Sequence, residues 1–113
     1  MRFLFLLYGD EQAEAALSPA ERRMIVEHHM VLSERLAQEG RVQSGEVLQA
    51  STTATTLDRT SGCVTDGPYA ETKEQLGGFY VLDCADMDDA LALAREIPDS
   101  PGLRIEIRPV DTA

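Results

Sequence analysis

Two amphipathic helical segments, each set between strand-forming runs, constrain the fold of this 113-residue chain more than any other feature. The first helix is well marked. Ser18-Pro19-Ala20-Glu21 offers a capping hydroxyl, a proline suited to the first turn and a glutamate three residues on, as in a capping box. The pattern runs to about Glu39, and Gly40 is its stop. Ile25, Leu32 and Leu36 fall on one stripe, and His29 and His28 lie about 40° and about 60° to either side of it. The second helix starts at Asp86, with Asp89 three residues later, and is expected to turn Ala90, Leu91, Ala94 and Ile97 inward. Pro98 and Pro101 close it.

Strands occupy the spaces between. Arg2 to Tyr8 is apolar on both faces, which suits a central position. A loose acidic and alanine-rich connection follows it. Arg41 to Leu48 reads as the second strand, and Thr52–Arg59 with Gly62–Thr65 as a short ribbon turned at Thr60-Ser61-Gly62. Gly78 to Cys84 is the next strand. Leu103, Ile105 and Ile107 alternate with Arg104, Glu106 and Arg108, which predicts a last strand with one apolar and one charged face. With the ribbon set aside, the order is the split βαβ pattern of an α+β, ferredoxin-like domain with an antiparallel sheet. No linker or repeat interrupts it, so residues 1–113 are expected to form a single domain. Two helices cover one face of such a sheet, and the other face calls for a partner or a polar surface. Phe5, Tyr8, Tyr80 and Leu82 are the strand residues expected to meet that partner.

Composition narrows the function. The formal charge is −10, which would be repelled by nucleic-acid phosphates and by an anionic membrane. The two cysteines, Cys63 and Cys84, form no CxxC pair, so no metal or redox motif is supported. The apolar run Phe3 to Leu7 is too short for a signal-peptide core, no stretch could span a bilayer, and a cytoplasmic location is expected. No phosphate loop, GxSxG elbow, HExxH or dinucleotide fingerprint is present, so no cofactor is implied.

The polar segment Asp66-Gly67-Pro68-Tyr69-Ala70-Glu71-Thr72-Lys73-Glu74, leading to Gly77-Gly78, is the strongest candidate for a site. Asp-Gly-Pro demands a tight turn, in which the Asp66 carboxylate can cap the backbone or serve as an acid. In an extended segment Glu71 and Lys73 project to one side, with the Thr72 hydroxyl between them. Gly78 would allow a backbone or a small ligand to approach closely. Tyr69, Glu71, Thr72, Lys73 and Gly78 are therefore the expected ligand-binding residues. His29, beside an apolar stripe, would lose solvation and favour its neutral form, ready to act as a general base if a carboxylate orients it. Asp66 is the expected carboxylate. The plainer alternative is a hydrogen-bonded histidine at the edge of the core.

The segment DGPYAETKEQLGGFYVLD resembles the signature of the DGPF-type branch of the YCII-related superfamily, with Tyr69 where the name-giving motif has phenylalanine. MRFLFLLYGDE, TATTL and IEIRPV are similar to the family's first, middle and last strands. The resemblance implies a ferredoxin-like fold that pairs into a dimeric α/β barrel. It also implies a role for His29, since a His-Asp pair has been proposed as catalytic in the superfamily; the position of the usual acid, two residues before the helix-ending glycine, is Gln38 here. Members are often encoded beside extracytoplasmic-function sigma factors. Two functions follow as expectations. One is a small enzyme using His29, with Asp66 or Glu71, to move a proton on an organic substrate. The other is a non-catalytic ligand sensor or accessory protein associated with a sigma factor.

Overall fold

The computed structural model describes residues 1–112. Strands β1 (Arg2–Asp10), β2 (Val42–Val47), β5 (Glu74–Asp83) and β6 (Arg104–Pro109) form one sheet in the order β2-β5-β1-β6. Every neighbouring pair is antiparallel. Helix α2 (Pro19–Gln38) connects β1 to β2, and α3 (Met87–Ala94) connects β5 to β6. Each helical crossover thus skips the strand between its two ends, which is the split βαβ arrangement of a ferredoxin-like α+β fold. A separate ribbon of β3 (Thr55–Leu57) and β4 (Val64–Asp66) lies outside the main sheet.

Local chemistry sets the helix ends. The Ser18 hydroxyl accepts from Glu21 N at 3.1 Å, and the Glu21 carboxylate accepts from Ser18 N at 3.0 Å, completing the capping box. Gly40 has φ 72°, the left-handed conformation that lets the chain leave α2. At α3, Asp86 accepts from Asp89 N at 2.8 Å. Asp89 in turn accepts from Ala85 N at 2.8 Å and from Arg41 Nη2 at 2.9 Å. Arg41 also donates to the Asp83 carbonyl at 3.0 Å. One side chain at the head of β2 therefore joins the end of β5 to the start of α3.

The sheet register decides what is buried. Phe3 stands opposite Leu82 and Phe5 opposite Tyr80 on the central β1–β5 pair, so all four share a face. Phe3, Phe5 and Leu82 are buried with Leu32 and Leu36 of α2 and Ala90 and Leu93 of α3, which makes that face the helix-covered one. The expectation that Phe5, Tyr80 and Leu82 would meet a partner is corrected here. A strand apolar on both faces does not reveal which face looks at the helices. By the same register Leu4, Leu6, Phe79 and Val81 share the opposite face, and each is half-buried. Tyr8 lies on that face too, level with Arg104.

Three further features differ from the sequence expectation. The acidic connection after β1 is a short helix, α1 (Glu11–Ala15), capped by Asp10, which accepts from Ala13 N. Strand β5 begins at Glu74 rather than Gly78, so the paired glycines lie inside a strand. Leu93 rather than Leu91 is the buried leucine of α3; Leu91 is exposed because the helix turns its Ala90–Leu93 edge to the sheet.

Leu36, 1% exposed, sits where α2 meets the β1 phenylalanines. Leu36→Ala is expected to reduce the unfolding free energy by roughly 2–5 kcal/mol, read as a lower urea midpoint with an unchanged slope.

Candidate functional site

The helix-covered face is filled at one end and open at the other. Toward the Phe3 end it carries the core. Toward the other end the same face presents Leu7 opposite Gly78, then Gly9 opposite Gln75 across a register slip at Leu7/Tyr8. Gly45 of β2 stands opposite Tyr80. Glycines leave the sheet without side chains there, and a cavity of about 1040 Å³ opens beneath α2. Its walls include Leu7, Ile25, Met30 and Leu103, and it is also lined by His29, Ser33 and Tyr80.

His29 and Tyr80 form the polar centre of this cavity. His29 Nδ1 lies 2.7 Å from the Tyr80 hydroxyl, and Ser33 Oγ lies 3.5 Å from the same oxygen. The two rings are nearly coplanar in orientation, 20° apart, with centroids at 6.1 Å, as expected for rings joined edge to edge by a hydrogen bond. Gly45 makes room for the tyrosine: a Cβ there would lie 2.9 Å from Tyr80 Cδ1. A Cβ on Gly78 would lie 3.0 Å from the Glu46 carbonyl oxygen, so β2 and β5 approach closely at the cavity floor.

Partial burial lowers the His29 pKa below its ordinary value of 6.5, and the neighbouring His28 pushes it the same way. The imidazole is therefore neutral near pH 7. With the Tyr80 hydroxyl accepting from Nδ1–H, Nε2 is a free base. With the hydroxyl donating to Nδ1, Nε2 carries the proton and is an acid. The two roles are tautomers of the neutral ring: passing from one to the other takes the proton off one ring nitrogen and places one on the other, while the Tyr80 hydroxyl reverses its 2.7 Å hydrogen bond to Nδ1.

The polar loop stands elsewhere. Asp66 is an exposed residue of β4, paired with Thr55, and makes no hydrogen bond to His29. The expected His29–Asp66 pair is thus replaced by His29–Tyr80. The reason is the early start of β5: Tyr80 lies six residues beyond Glu74, or roughly 20 Å along the strand, while the loop ends before Glu74. Tyr69 is 91% exposed. Thr72 donates to the Glu74 carbonyl, and Gln75 donates to the Ala70 and Thr72 carbonyls at 2.9 and 2.8 Å, so these residues close the loop on itself. Glu71 is exposed, and Lys73 reaches Asp10 at 3.4 Å. Neither Asp66 nor Tyr69, Glu71, Thr72 or Lys73 lines the cavity, whereas Gly78 does.

Sequence reasoning missed Tyr80 as the partner of His29. The signal was available in principle, since strand alternation places Tyr80 on the same face as Leu82, but nothing in the chain pairs β5 with α2. It also missed α1, whose Glu11 and Glu14 line the cavity mouth. Glu11 is held by Ser51, accepting from its backbone N at 2.8 Å and from its hydroxyl. Burial raises the Glu14 pKa, and Glu11 and Asp10 add to the shift.

An antiparallel α+β sheet, covered by helices on one face and opening into a histidine-bearing cavity, defines a ferredoxin-like protein with an internal polar pair. The chain belongs to the YCII-related family, whose domain model matches residues 1–110. It is similar to an uncharacterised protein of Rhizobium meliloti (strain 1021), with 36% identity over 102 residues, covering 88% of this chain and 82% of that protein. No helix among the described residues is long and apolar enough to cross a membrane.

The lowered His29 pKa makes stability depend on pH. Between the folded and unfolded values the unfolded chain binds the extra proton, so this contribution is complete above 6.5 and is lost as pH falls toward the folded value. On acidification from about pH 7.5 to about pH 5, the wild type is expected to lose more unfolding free energy than His29→Asn. Equal losses in parallel urea titrations would show that His29 titrates normally.

Proposed function

We propose that this YCII-related protein binds a small organic molecule in the cavity beneath α2, and that the His29–Tyr80 pair transfers a proton on it. One observation carries the reading. A neutral imidazole and a phenol share a 2.7 Å hydrogen bond at the wall of a largely apolar cavity. In such surroundings a base need not shed a water shell before it acts, and Tyr80 holds the ring in place as the carboxylate does in other histidine bases. Abstraction of an acidic C–H proton by Nε2, followed by its return at another atom of the substrate, is a reaction this pair can perform unaided. The fit is to an isomerase or a lyase step. Asp66 has no part in it, and the loop residues Tyr69, Glu71, Thr72 and Lys73 serve as an outer wall of the molecule.

A homodimer belongs to the same reading. Leu4, Leu6, Phe79 and Val81 form an apolar strip on the sheet face that no helix covers. Arg104, Glu106 and Arg108 border it along β6, with Glu106 and Arg108 already paired. Both charge signs on one border suit a two-fold contact between identical faces. Sedimentation equilibrium is expected to give twice the chain mass, and Val81→Lys is expected to shift it to the monomer. A monomeric wild type would remove the dimer from this account.

The chemical reading is tested by proton exchange. Small ketones and unsaturated lactones are incubated with the protein in D₂O, and loss of C–H signal is followed by NMR. Catalysed exchange is expected for at least one compound, with His29→Ala lowering its rate by roughly 10²–10⁴-fold and Tyr80→Phe lowering it less. Equal rates for the wild type and His29→Ala would rule out His29 as the base.

A further inference from the structure

We propose that the cavity takes an amine-bearing organic cation, with the Glu14 carboxylate as its counter-ion. This rests on the reading of the cavity as a small-molecule site and specifies the class of molecule it takes. Glu11, Glu14 and Glu34 line the cavity against a single arginine, Arg22; Glu46 stands opposite Phe79, on the other face of the sheet. Arg22 donates to the Ala15 carbonyl at 3.0 Å, which ties its guanidinium to the end of α1. Glu11 is held by Ser51. The Glu14 carboxylate has no hydrogen-bond or ion-pair partner among the described residues, and the charges acting on it are the like charges of Glu11 and Asp10.

The position of Glu14 is also prepared by the backbone. Its carboxylate lies over buried Gly9, and a Cβ on Gly9 would collide with Glu14 Oε1. A half-buried carboxylate with no partner is costly, and its raised pKa reflects that cost. A cation brought in by a ligand relieves it, and the hydrogen bond so formed is charge-assisted. The remaining wall is apolar, with Leu7, Ile25, Met30 and Leu103 offering contact to a hydrocarbon body. The fitting ligand is therefore an amine carried on an apolar skeleton. A carboxylate of the same shape would meet three negative side chains against the one guanidinium of Arg22.

Three probes of matched size separate this inference from the reading beneath it: 4-phenylbutylamine, 4-phenylbutanol and 4-phenylbutyrate, measured by calorimetric titration of the full chain. The amine is expected to bind roughly tenfold tighter than the alcohol, and the carboxylate more weakly than either. Glu14→Gln is expected to bring the amine down to the alcohol's affinity while leaving the alcohol unchanged, which also shows that the variant folds. Glu34→Gln is expected to keep the preference. Equal binding of amine and alcohol to the wild type overturns the proposal and leaves the cavity as a neutral site. A preference that survives Glu14→Gln, or is lost in Glu34→Gln instead, overturns the assignment to Glu14. Binding of none of the three probes overturns the cavity reading and this inference together.

Discussion

The central β1–β5 pairing governs the molecule, because its register decides where the helix-covered face has side chains and where it has none. Phe3, Phe5 and Leu82 fill one half of that face, and α2 and α3 close over them. In the other half the same register brings up Gly78 and Gly9, and β2 adds Gly45 opposite Tyr80. The helix α2 spans both halves as one rigid rod. Where it lies over phenylalanine and leucine it packs; where it lies over glycine it roofs a space. Core and cavity are thus two outcomes of one alternation, and Tyr80 and His29 meet at the boundary between them.

That boundary explains the electrostatics of the pair. Deeper in the core, a histidine would find no polar partner and would destabilise the packing. On the open surface it would keep its water and its ordinary pKa. At the edge it is half-buried, loses enough hydration to stay neutral, and finds the one phenol that the sheet presents upward. Ser33, one turn further along α2, adds a hydroxyl near the same oxygen. The helix period supplies this arrangement, since residues four apart share a face.

Much of the architecture was legible in the chain. The capping box at Ser18 and Glu21, the glycine stop at Gly40 and the alternation of Ile105 and Ile107 with charged residues are local signals, and each has a local cause. The flanking position of His29 followed from the helix period alone. The facing of β1 was not legible, because Phe3 to Leu7 is apolar at every position and alternation carries no information in such a run. The start of β5 was hidden for a related reason. Gly77-Gly78 reads as a break in sequence, yet the strand passes through it and absorbs the irregularity as a register slip opposite Leu7/Tyr8. That shift of a few residues moved the polar loop away from the cavity.

The fate of Asp66 shows what a motif does and does not carry. Asp-Gly-Pro is a turn-forming sequence, and in the structure it ends a ribbon strand: Gly67, at φ 104°, donates to the Ala54 carbonyl at 2.7 Å, and Thr56 Oγ1 donates to the Gly67 carbonyl at 2.9 Å. Those bonds account for the sequence without a reacting group. Tyr80, by contrast, sits in an apolar run whose neighbours in sequence give its hydroxyl no partner. Its chemistry comes from the strand pairing that sets it opposite Gly45 and beneath His29. A polar loop signals itself through local turn chemistry; a half-buried histidine–tyrosine hydrogen bond is assembled by long-range register, and only the folded chain brings its two halves together.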